Sequence, residues 1–112
     1  MTNMILVYMT CDSVEQAKDI GKKLMEKRLC ACINIFPNIK PMFFWPPKSG
    51  KIDESDEVAM IVKTIKSKYK ALEEEIYKIH SHDTPCIIAI PTEYVGEKYY
   101  NWLLSELEES IK

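Results

Sequence analysis

The stretch "MILVYMTCDSVEQ", Met4 to Gln16, decides how the chain is read. Met4 to Met9 is apolar without a break, as in a strand covered on both faces. The run stops at Thr10 and Cys11. Asp12 or Ser13 then offers an N-cap, and Ser13 with Gln16 has the spacing of a capping box. Val14, Ala17, Ile20, Gly21, Leu24 and Met25 follow at helical spacing, which predicts a helix from about Val14 to Arg28. A strand that passes directly into an amphipathic helix sets up a layered domain, with the helix packed on the sheet.

Working outward, "CACINIFPNIKPMFFW" (Cys30–Trp45) alternates, with Ile33 and Ile35 on one face and Cys32 and Asn34 on the other. Pro37 and Pro41 cannot donate to a ladder, so the segment reads as a long, bent edge strand. "PPKSGK" is a turn, and "EVAMIVKTI" is a central strand. "SKYKALEEEIYKIH" carries Tyr69, Leu72, Ile76 and Ile79 on one helical stripe. Pro85 blocks continuation, "CIIAIP" is a fourth strand, and a last helix faces Tyr100, Leu103, Leu104, Leu107 and Ile111 inward. The order β-α-β-β-α-β-α predicts an α+β chain of the ferredoxin-like, split-βαβ kind with an additional C-terminal helix. Its strand order is 4-1-3-2, with antiparallel neighbours. Residues 1–112 form one domain. The bare apolar edge "CIIAI" and the projecting "FFW" call for a closed homo-oligomer that covers them.

Fifteen Lys and Arg against 17 Asp and Glu leave a net charge of -2, which argues against a nucleic-acid or anionic-membrane binder. Arg28 is the only arginine, so one chain cannot build an arginine phosphate clamp. An RNA-recognition module needs stacking aromatics on both central strands, and "EVAMIVKT" has none. An acylphosphatase-like loop would need an arginine after the first strand, and "TCDSVE" has none. The opening apolar run is too short for a membrane span, and no basic region precedes it, so the expected location is cytoplasmic. Most of the four cysteines are expected to be reduced core residues.

Met9-Thr10-Cys11 begins a copper-chaperone pattern, M-x-C-x-x-C, but the second cysteine position holds Val14. The predicted topology brings the end of the first strand beside "IHSHDTPC". Cys11 is therefore expected near His80, His82, Asp83 and Cys86. A thiolate with imidazoles suits copper or zinc, which makes Cys11, His80 and His82 the candidate metal ligands. The plainer reading puts Cys11 in the core, His80 against the negative end of the second helix, and His82 in solvent. Cys30 and Cys32, two apart on a strand, would share a face as a soft-metal pair or as core or interface packing. "DESDE" (Asp53–Glu57) reads as a solvated acidic turn.

These blocks together resemble the CutA family of divalent-cation tolerance proteins. The blocks are "TCDS", "LCACINIFPNIKPMFFW", "GKIDESDEVAMIVKT", "IHSHDTP" and "YYNWL", which span about Leu6 to Leu103. The resemblance implies a homotrimer built like the PII signalling trimers, no enzymatic reaction, and weak binding of copper or another divalent ion. It places the family's cysteine after strand one at Cys11, its A-C-V-N-I cysteine at Cys32, its motif histidine at His80, its strand-closing aromatic at Trp45 and its K-T lysine at Lys63. Ile79 stands where some members have a second histidine, Ser81-His82 replaces P-Y, and the "WPPKSG" turn is lengthened. The alternative reading is a PII-like signalling or scaffold trimer that binds a small metabolite or a protein between subunits, with Trp45 and Lys63 lining the cleft. No glycine-rich phosphate loop supports a nucleotide there.

Overall fold

The structure, a computed structural model, describes residues 2–108, so the expected inward-facing Ile111 lies outside the described residues. The elements are β1 (Met4–Cys11), α1 (Val14–Glu26), β2 (Cys32–Ile39), β3 (Met42–Phe44), β4 (Ile52–Glu54), β5 (Glu57–Ile65), α2 (Tyr69–Ile79), β6 (Ile87–Pro91) and α3 (Glu97–Glu106). β1 pairs with β5 along its whole length, from Met4↔Ile65 to Cys11↔Val58. β6 lies on its other side and β2 lies beyond β5, giving an antiparallel sheet ordered β2-β5-β1-β6. This is the order expected for the four main strands.

One face of the sheet carries Ile5, Val7, Met9, Cys11, Val58, Met60 and Val62. These pack against Ala17, Ile20 and Leu24 of α1 and Leu72 and Ile76 of α2. Burying each large aliphatic side chain contributes roughly 1.5–3 kcal/mol, so this face dominates stability. Gly21 lets α1 approach the sheet: a Cβ there would stand 2.4 Å from Ile33 Cδ1. Ser13 caps α1 by accepting from Gln16 N–H at 3.0 Å, and Gln16 Oε1 reaches back to Asp12 N–H at 2.7 Å. Arg28, at φ 55°, closes the helix: its N–H bonds Met25 O, and Leu29 N–H bonds Leu24 O. That is a Schellman stop, and it ends α1 slightly short of the expected boundary.

The other face is covered differently from the expectation. α3 lays Leu103 and Leu107 over Met4, Ala31 and Ile65, with Leu6, Tyr99, Tyr100 and Leu104 at the margin. A helix of 10 residues spans about 15 Å, whereas a strand of 8 residues runs about 27 Å. The far part of this face therefore stays open, and Tyr8 and Thr10 are only half-buried. Within this one chain, β1 is not covered on both faces along its length.

The long bent strand is also corrected. It breaks into β2 and β3, with a register shift between Phe36 and Ile39 and Asn38 at φ 67°, a conformation that asparagine tolerates. β3 leaves the main sheet and pairs with β4, from Met42↔Glu54 to Phe44↔Ile52. Part of the expected acidic turn is thus a strand, because its backbone partners the "MFF" segment while its carboxylates face solvent. Met42, Phe44, Trp45 and Ile52 are exposed along this hairpin. Cys30 and Cys32 do not share a face. β2 begins only at Cys32, so Cys30 drops into the core beneath α1. Cys32 instead pairs across the sheet with Lys63 on the α3 side.

Candidate site at the end of the first strand

The loop between α2 and β6 folds back onto the end of β1, as the topology requires. His80 closes α2, its backbone N–H bonding Ile76 O at 2.8 Å. Its ring is buried, and both ring nitrogens are engaged. Nε2 lies 2.8 Å from the Thr10 carbonyl, and Nδ1 accepts from the His82 backbone N–H at 3.0 Å. A carbonyl can only accept and a backbone N–H can only donate, so the ring is fixed with its proton on Nε2.

His82 sits outside this clasp. Its Nε2 is 2.9 Å from Asp12 Oδ1, and its Nδ1 has no bonded partner among the described residues. Asp12 Oδ2 accepts from Ser81 Oγ at 2.8 Å, Ser81 Oγ accepts from Gln16 Nε2 at 2.8 Å, and Gln16 Oε1 accepts from Asp12 N–H. The cycle ties the start of α1 to the α2–β6 loop. The Ser81 hydroxyl, with His82 beside it, holds the Asp12 carboxyl below its ordinary value.

Cys11 lies one residue beyond Thr10 and points the other way. It is fully buried, its thiol faces Met60 Sδ at 3.6 Å, and burial with Asp12 and Glu57 nearby pushes it up to about 11. Period-two alternation along the strand turns its side chain away from those of Thr10 and Asp12, which line the same cleft as His82. The fold therefore brings His80 and His82 together, with ring centroids 4.9 Å apart, and keeps Cys11 behind the sheet. As folded, Cys11, His80 and His82 do not present three donors to one point, and the described residues contain no group of three or more such side chains placed to hold a metal ion. Copper does not fit this trio without rearrangement.

Asp12 and His82 line a cleft of about 800 Å³ together with Tyr8, Asp83, Cys86 and the β3 aromatics through Trp45. Lys63 is absent from that lining. It stands on β5 with its ammonium 5.3 Å from the centroid of the Tyr99 ring. Within one chain, the two expected cleft residues, Trp45 and Lys63, belong to different places. Gln16, Ser81 and Asp12 were not singled out as site residues. The only sequence signal for them was the cap spacing of the first and last.

A sheet with two helices behind it, a third helix partly covering its front and a protruding hairpin defines a mixed α+β protein with a loop-built polar site at one sheet end. The family profile described as "CutA1 divalent ion tolerance protein" matches residues 5–106. The divalent-cation tolerance protein CutA of Archaeoglobus fulgidus is 44% identical over 102 residues, 91% of this chain and 96% of that protein. Its namesake from Thermotoga maritima is 45% identical over 100 residues, 89% and 95% of the two chains. Among solved structures, the periplasmic divalent cation tolerance protein CutA from Archaeoglobus fulgidus superposes with a TM-score of 0.87 at 42% identity, covering 93% of this chain and 98% of that one. CutA1 from Ehrlichia chaffeensis gives 0.87 at 34% identity, covering 96% and 97%. The chain belongs to the CutA family of divalent-cation tolerance proteins.

Proposed function

We propose that the chain serves divalent-cation tolerance as a cytoplasmic homotrimer that binds copper or another divalent ion weakly and catalyses no reaction. The observation that carries the metal reading is the Asp12–His82 pair at the cleft. His82 Nδ1 keeps its lone pair available, a carboxylate stands beside the ring, and Asp83 and Cys86 line the same cleft. Imidazole with carboxylate or thiolate favours copper over other common divalent ions. Few donors on an exposed rim imply low affinity. Cys11 and His80 contribute only if the clasp opens.

Support for the trimer is the uncovered apolar surface. Phe36, Ile88 and Ile90 on the sheet edges and Met42, Phe44 and Trp45 on the hairpin remain exposed in one chain, more than a monomer ordinarily leaves open. The βαββαβ frame is read as ferredoxin-like and the assembly as PII-like. Four free thiols fit a reducing compartment.

Native mass spectrometry of the reduced protein titrated with copper tests this reading. The expected result is a trimer with up to one copper per chain, lost in His82→Ala and retained in Cys11→Ser/His80→Ala. A monomer overturns the assembly, and copper uptake unchanged by His82→Ala overturns the metal site.

A further inference from the structure

The cleft of about 800 Å³ that His82 borders is far larger than a metal ion needs. Its size is that of a small-molecule pocket. Four aromatic side chains line it: Tyr8 of β1, Phe43 and Phe44 of β3, and Trp45 just beyond. Four carboxylates join them from four separate segments: Asp12 after β1, Asp53 in β4, Glu57 at the start of β5 and Asp83 in the α2–β6 loop. No lysine or arginine lines the cleft. Asp12 Oδ1 meets His82, and Glu57 accepts from Ser55 Oγ at 2.6 Å. None of the four carboxylates is paired with a lysine or arginine among the described residues.

Charge of one sign in a hollow with apolar walls concentrates potential there. The carboxylates call for a cation, and aromatic faces attract weakly hydrated ones such as alkylammonium, tryptophan most of all. A bare divalent ion matches this lining poorly. It needs several donors converging on one point, the described residues hold no group of three or more such side chains placed for that, and the aromatic surface would go unused. Positive charges spaced along an apolar chain use both the scattered carboxylates and the rings. Carboxylates without a cation are costly to bury, so the cleft favours a cationic guest over the apolar surface of a second copy.

We propose that this cleft binds a linear aliphatic polyamine. Its ammonium groups meet the carboxylates, and its methylene segments lie along the aromatic side chains. The binding is noncovalent and involves no reaction. It shares the cleft with the metal reading but does not need the free Nδ1 of His82, so the two readings fail separately.

The test is isothermal titration calorimetry of spermine into the assembled protein, freed of metal by a chelator, at low salt. The expected result is saturable binding that magnesium at equal charge does not displace. Trp45, Asp53 and Asp83 are exposed, so changes there spare the core. Trp45→Leu should weaken spermine by about fivefold, and Asp53→Asn/Asp83→Asn by about tenfold. His82→Ala, which removes copper uptake on the metal reading, should not weaken spermine. Displacement by magnesium at equal charge marks an unspecific ion atmosphere and overturns the proposal. So does an affinity indifferent to both Trp45→Leu and Asp53→Asn/Asp83→Asn. Absence of saturable heat overturns it as well, and leaves a second copy of the chain as the occupant of the cleft.

Discussion

The His80 ring donates from Nε2 to the Thr10 carbonyl at 2.8 Å, so the end of α2 is bonded to the last turn of the first strand. The same ring accepts from His82 N–H. One buried imidazole thus satisfies two backbone groups that no regular element serves.

His80→Ala should therefore destabilise the protein by about 1–3 kcal/mol, because a part-buried carbonyl and a part-buried N–H lose their partner together. Urea unfolding of the two proteins measures it. A loss below about 0.5 kcal/mol, the range of ordinary surface substitutions, would mean that the clasp is not structural.

Gly21 and Ile33 should be energetically coupled. Gly21→Ala gains up to about 1 kcal/mol of helix propensity, but its new Cβ meets Ile33 Cδ1 at 2.4 Å. Alone it should be close to neutral. In an Ile33→Val background, which removes that methyl, the same change should stabilise by about 0.5–1 kcal/mol. A double-mutant cycle showing no coupling would refute the contact.

Stability should fall on the alkaline side. Cys11 and Cys30 are raised from 9.0 to about 11 and about 12 in the fold. Above pH 9 the unfolded chain releases thiol protons that the folded one keeps, so the stabilisation present below pH 9 is lost as pH rises towards 11–12. Each thiol contributes a slope of up to about 1.4 kcal/mol per pH unit. Urea midpoints from pH 8 to 10.5 should decline less steeply in Cys30→Ala than in the unaltered chain.

Asp12 acts on the acid side. Its folded value lies below the ordinary 3.8, so it stabilises the fold above that value, and the contribution disappears as pH falls through the lowered one. Asp12→Asn should be less stable at pH 6 and show a shallower acid decline below about pH 4. Identical acid limbs in the two proteins would remove Asp12 from the network's energetics.

Much of this architecture was legible in the residues. The unbroken apolar runs at Met4–Met9 and Val58–Val62 marked the central strands, and Ser13 with Gln16 marked the start of α1. Those signals are local: periodicity and cap spacing act within a turn or two of chain. The β3–β4 hairpin was hidden, because "IDE" has a strand's backbone but a turn's composition. Cys30 and Cys32 looked like one face because strand alternation was assumed before the strand begins.

The sequence by itself determined the order of elements, the two-helix face of the core and the return of the "IHSHD" loop to the end of β1, since alternation and turn residues leave few ways to stack these segments. It did not determine which way Cys11 points relative to that loop, nor that both His80 nitrogens are consumed by backbone. It also did not show that the Tyr99 ring of α3 stands against the Lys63 ammonium of β5. Apart from the local His82–His80 bond, those relationships join residues about 35 to 70 positions apart, and only the packed sheet, whose register assigns every side chain to one face or the other, decides them.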